Sequence, residues 1–171
     1  MVEVMISVLI LTLCSGMLAH TLSATTAHRR ANAERMLAVE AARGIVEDMH
    51  NWNFGAVYLT YNADPSDDPE GPGTAPGKHF EVLGLTPDPA DEDGFVGEIH
   101  FPCDSPPLRE DVTDPRLCMP RDLNGDKVID GEDHSLDYMV LPVTVSVRWK
   151  GKGGVRTFEL HTMLAQLEKA E

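Results

Sequence analysis

Between Asp122 and Asp133 the chain places side-chain oxygens at positions 1, 3, 5, 9 and 12 of a twelve-residue loop: Asp122, Asn124, Asp126, Asp130 and Asp133. An apolar residue, Ile129, stands at position 8, and the backbone carbonyl of Val128 is available at position 7. A calcium ion needs six to eight hard oxygens at about 2.3–2.6 Å, and this spacing wraps a short chain around one. The expected ligands are Asp122, Asn124, Asp126, the Val128 carbonyl and Asp133, with Asp130 acting directly or through water. Magnesium suits the loop less, because it gives up its waters reluctantly. Position 6 departs from the pattern. A left-handed turn there favours glycine, yet the residue is Lys127, at a cost of about 1–2 kcal/mol. The competing reading is a solvated acidic loop without an ion.

The spacing resembles the dockerin-type calcium loop, D-x-N-x-D-G-x-I-N/D-x-x-D, more than the calmodulin type, because position 12 is Asp133 rather than Glu. A dockerin carries two such repeats to bind its cohesin, and this chain has one.

Two cysteines, Cys103 and Cys118, lie just ahead of the loop and enclose 14 residues. In an oxidising compartment they could pair, and a bridge of that span contributes about 3 kcal/mol. Two free thiols are the alternative. Cys14, in an apolar run, reads as a small packing residue. Nothing recommends an enzyme: no Gly-x-Ser-x-Gly, His-Glu-x-x-His or Cys-x-x-Cys is present, and the seven histidines are scattered.

The other chemically informative residue is Glu3, set in the run Met1-Val2-Glu3-Val4-Met5-Ile6-Ser7-Val8-Leu9-Ile10-Leu11. From Val4 to His28 no residue is formally charged, a stretch of 25 that is long enough to cross a bilayer. A carboxylate at the edge of such a segment is expensive and needs a partner. An uncleaved signal peptide or a simple anchor is the plain alternative, but the helical pattern continues well past the apolar run.

These sites must be carried by a few elements. Residues 1 to about 52 hold no proline and read as one helix of roughly 75 Å. Residues 1–28 are apolar all round, and 29–52 are amphipathic. Leu37, Ala41, Ile45, Met49 and Trp52 recur on one side, while Arg35, Glu40, Arg43 and Glu47 point elsewhere. Residues 53–171 form one small globular head. It opens on a Pro/Gly/Asp loop over 62–77. Short strand-like runs follow at 79–85 and 94–101, then a polar insertion at about 102–137 that holds the acidic loop. Leu141 to Trp149 is the clearest strand, with Val143, Val145, Val147 and Trp149 on one face. A turn at Gly151-Lys152-Gly153-Gly154 returns it through Val155–Met163. Trp52 and Trp149 both suit packing of helix against sheet. The expected class is α+β.

The run MVEVMISVLIL resembles the N-terminus of mature type IV pilins and pseudopilins, whose pattern reads roughly FTLVEVMIALAIL. The ending VTVSVRWKGKGGVRTFELHTML resembles the last hairpin of minor pilins of the PilV kind and of type II secretion pseudopilins of the I kind. The resemblance implies a pilin-like fold, a long N-terminal helix packed on a small C-terminal antiparallel sheet. It also implies that Glu3 meets the free N-terminal amine of a neighbouring subunit as a filament assembles. The implied partners are other pilin or pseudopilin subunits, the bacterial inner membrane before assembly, and a prepilin peptidase acting on a longer precursor. In the family two residues and a basic leader precede the position of Met1, and they are expected on that precursor. Such a leader would also explain why Arg29, Arg30 and Arg35 follow the apolar run, against the positive-inside tendency.

The net charge of −14 is concentrated: residues 62–137 hold 20 Asp or Glu against 5 Lys or Arg. That acidity speaks against nucleic acid as a partner and favours cations or simple solvation. The expectation is a non-catalytic filament subunit, single-pass in the membrane, with its head outside the cytoplasm and stabilised by calcium. The alternative is a membrane-anchored calcium-binding or adhesion module that does not polymerise.

Overall fold

The computed structural model describes residues 1–166. Helix α1 runs unbroken over Val2–Asn51. No proline interrupts it, and the backbone turns extended at Trp52, whose N–H closes the last turn on the Asp48 carbonyl at 3.2 Å. A short 3-10 turn at Phe54–Ala56 leads into α2, Val57–Tyr61. Four antiparallel strands follow: β1 His79–Phe80, β2 Gly97–His100, β3 Val140–Gly151 and β4 Gly154–Ala165, in the sheet order β1-β2-β3-β4. One long N-terminal helix on a small antiparallel sheet is the α+β, pilin-like layout expected from the sequence.

The β3–β4 hairpin carries the sheet. Its register pairs Val140 with Ala165 at one end and Gly151 with Gly154 at the turn. Alternation along β3 sends Leu141, Val143, Val145, Val147 and Trp149 to the helix side, all 3% exposed or less. Full burial of such side chains contributes about 1.5–3 kcal/mol each, which makes this strand the centre of the head. The strands at 79–85 and 94–101 are shorter than expected. The chain turns back at Val82–Leu85, and beyond it Thr86 and Val96 only accept single bonds from Lys150 and Arg148 of β3. Gly97 is required where it stands. A side chain there would meet the Phe80 ring across the β1–β2 pair at 2.3 Å.

The helix face differs from the expected one. Glu34, Ala38, Ala42 and Met49 are buried, with Ala41, Ile45 and Val46 beside them, whereas Leu37 and Trp52 remain 37% and 43% exposed. The reason is steric. Alanines let α1 lie close on β3, and leucine on that line would hold it off. Glu34 is tolerated there because its carboxylate accepts from Trp149 Nε1 at 3.3 Å and from Arg30 Nε at 3.0 Å.

The insertion is ordered without help from a bridge. Cys14, Cys103 and Cys118 are free thiols, so the expected pairing of Cys103 with Cys118 is not formed. Cys103 packs on the core, while Cys118 is exposed at the end of the 3-10 turn Pro115–Leu117, in a left-handed conformation. Order comes instead from Leu108, Leu117, Met119, Leu123 and Tyr138, each under 5% exposed. Tyr138 donates to the Phe54 carbonyl at 2.6 Å and accepts from Tyr58 N–H at 3.1 Å, tying the insertion to the start of α2. Tyr58 in turn donates to the Cys103 carbonyl at 3.1 Å and packs edge-on against Phe101.

Candidate functional site

The acidic loop forms a chain of backbone-to-carboxylate bonds. Asp122 Oδ1 accepts from Gly125 N–H at 2.6 Å and Oδ2 from Lys127 N–H at 2.8 Å. Asn124 Oδ1 accepts from Asp126 N–H, Asp126 Oδ1 from Val128 N–H and Asp130 Oδ1 from Glu132 N–H, at 3.0, 2.7 and 2.8 Å. Asn124, Asp126 and Asp130 are each held by the N–H two residues on, and Asp122 by those three and five residues on, as short polar side chains are in tight turns. Position 6 takes the conformation the wrap requires: Lys127 has φ 73°.

The two ends of the loop are fixed differently. Asp133, at position 12, points back: its Oδ1 accepts from Leu108 N–H and Ser135 N–H, both at 3.0 Å, and from the Ser135 hydroxyl. These bonds outweigh the effect of burial and hold its pKa below the usual carboxylate range. Asp130 is held low by the Glu132 N–H and by His134. His134, almost fully buried, lies between Asp130 at 3.3 Å and Asp137 at 3.1 Å. Burial works against its charge, but these two carboxylates prevail and raise its pKa. Val128 and Ile129 are half exposed, so the apolar residue at position 8 has no core to enter.

The donor set is hard and anionic, of a kind that would suit calcium, but Asp133 is turned away to Leu108 and Ser135. The ion's chemistry there would be charge neutralisation alone. Among the described residues, however, no three His, Cys, Asp or Glu side chains are gathered as a metal cluster. The fit rests on backbone form and donor type. It predicts strain at one place. Replacing Lys127 with glycine is expected to stabilise the head by about 1 kcal/mol, a rise of a few degrees in melting temperature. An unchanged or lower melting temperature would mean that residue 127 is not the strained position.

Glu3 lies in the first turn of α1, exposed, with Ser7 Oγ donating to its carbonyl at 2.9 Å. It borders a shallow groove with Val4, Ser7, Val8 and Leu11. Residues 1–26 are all exposed, and an 18-residue window of α1 reaches a mean hydropathy of 2.2 with none of it buried. This half of the helix is long and apolar enough to cross a membrane, and it stands clear of the head.

No family model, curated protein or solved structure matches the chain.

One residue of the loop region gave no signal in the sequence. Glu110 is 1% exposed, and its Oε1 accepts from the N–H groups of Leu123 and Asn124 at 2.5 and 3.2 Å. Its segment is stitched to both ends of the loop. His134 N–H donates to the Leu108 carbonyl, Asp111 N–H to Asp130 and Arg121 N–H to Glu110, at 2.9, 3.1 and 3.2 Å. Only the folded arrangement brings it there.

Proposed function

We propose that the chain is a non-catalytic structural subunit of a bacterial filament of the type IV pilus or type II secretion kind, a minor pilin or pseudopilin. The observation that carries this reading is the projecting half of α1: apolar on every side, uncovered by the head, and bearing one carboxylate at its outer end. A bilayer would cover that surface before assembly, and the equivalent helices of other subunits would cover it afterwards. Prepilin peptidase would act on a longer precursor, the head would stand outside the cytoplasm, and calcium in the loop would stiffen it. Apolar area alone accounts for an anchor. Glu3 is what distinguishes a subunit, because the hydrocarbon core of a bilayer offers no charge to meet it.

Photo-crosslinking in living cells tests this reading. A photoreactive residue at Leu9 is expected to yield adducts with the apolar N-terminal helices of other subunits, identified by mass spectrometry. Adducts with lipid alone would leave a membrane-anchored module that does not polymerise.

A further inference from the structure

The cationic side chains are not spread evenly over the surface. Six of the 14 Lys and Arg residues meet at one end of the head: Arg29, Arg30 and Arg35 on α1, and Lys150, Lys152 and Arg156 around the β3–β4 turn. The two groups are far apart in sequence, and Glu34 marks where they join. Its carboxylate accepts from the Trp149 indole N–H at 3.3 Å, and a side chain at Gly151 would come within 3.4 Å of it. Arg29, Arg35, Lys150 and Lys152 are exposed, and none of them has an ion-pair partner among the described residues. The carboxylates near this end are committed or turned away. Glu34 is buried and paired with Arg30, Asp88 is buried and holds Arg148 at 2.6 Å, and Asp91 and Asp93 line a cleft on the outer face of the sheet. The acidic insertion lies at the opposite end of the hairpin, where the Leu123 carbonyl accepts from Met139 and Val140. Along β3 that is roughly 35 Å from Gly151.

This basic end faces the apolar half of α1. Glu34 stands six residues, about 9 Å, beyond His28, where the uncharged stretch ends. Long basic side chains at that height reach back toward the polar layer of a bilayer that α1 crosses. We propose that this end of the head docks on anionic phospholipid, with phosphate groups held among Arg29 and Arg35 of α1 and Lys150 and Lys152 of the turn. The contact sets the turn end of the sheet against the membrane and keeps the acidic insertion in water. The inference rests on the membrane placement of α1 in the reading above, and not on polymerisation. Zwitterionic lipid offers such a surface no net charge, whereas each basic side chain close to an anionic membrane adds a factor of about five in binding.

The test uses the full-length chain in nanodiscs of phosphatidylcholine, alone or mixed with phosphatidylglycerol, and reads hydrogen exchange across the β3–β4 turn. Phosphatidylglycerol is expected to slow exchange of the turn amides by about tenfold. Raised salt is expected to restore the phosphatidylcholine rate, because it screens the attraction. Lys150→Gln together with Lys152→Gln is expected to insert as wild type does and to lose most of the slowing. Unchanged exchange along the rest of β3 is the sign that this variant remains folded; should it unfold, the salt dependence of wild type decides alone. Equal turn exchange of wild type in the two lipids would overturn the proposal, as would slowing that raised salt or the folded double variant leaves intact. Slowing that grows with the number of copies per disc and is the same in both lipids would assign this end to the acidic head of another copy, and would overturn the proposal too. A chain that enters nanodiscs of neither composition would instead remove the membrane reading itself.

Discussion

Withdrawing calcium from the full-length chain in detergent micelles is expected to lower the melting temperature of the head by on the order of 10 °C. An ion bound at a hundredfold excess over its Kd stabilises a fold by about 2.7 kcal/mol, and each kcal/mol moves a domain of this size by several degrees. The effect should be large because the loop is not peripheral. Leu123 at its start is fully buried, and its carbonyl accepts from Met139 and Val140 at 2.7 and 3.0 Å, where β3 begins. Loosening the loop therefore loosens the first rung of the central hairpin. Fluorescence of Trp149, buried at the far end of β3, should report the same transition as far-ultraviolet dichroism. Asp122→Ala together with Asp126→Ala is expected to abolish the calcium-dependent part of the melting temperature. Titration calorimetry without a binding signal at millimolar calcium would contradict the staple, and Lys127 would then be the residue that disables the loop.

Periodicity made the scaffold of this molecule legible. Fifty residues without proline gave α1, and the alternation of valines from Val143 to Trp149 gave β3 with its buried face. Both signals are local, so a single strand of sequence carries them. What failed was what depends on distance of approach. The helix was expected to bury its larger apolar residues, Leu37 and Trp52, but contact with a flat strand selects alanine at Ala38 and Ala42. The short strands β1 and β2 are set by pairing with β3 rather than by their own composition, so their limits were not readable. Helix α2 was missed for a related reason: five residues are too few to show a period.

The loop divides the same way. Its turn was readable because Asp122, Asn124, Asp126 and Asp130 each take a backbone N–H two to five residues on. Glu110 was not, since an acidic residue in an acidic region carries no mark until folding brings it to Leu123 and Asn124. The cysteines illustrate the opposite error. Their spacing suggested a bridge to order the insertion, whereas Leu108, Leu117, Met119 and Leu123 supply that order by burial.

The central claim is assembly through the apolar helix, and Glu3 is where it is most exposed. A carboxylate and an amine brought together out of water are held only as a pair. Removing one partner leaves the other uncompensated, at a cost of about 3–5 kcal/mol. That is a hundredfold or more in an assembly equilibrium, while the apolar surface that enters the membrane is unchanged by alanine. The direct measurement is quantitative immunoblotting of sheared filaments and of membranes from cells expressing wild-type or Glu3→Ala protein. Wild-type chain in both fractions, with the alanine variant at normal level in membranes and absent from filaments, is the expected result. Glu3→Ala recovered in filaments at the wild-type level would contradict the assembly role of Glu3, and wild-type chain confined to membranes of filament-bearing cells would contradict the account as a whole.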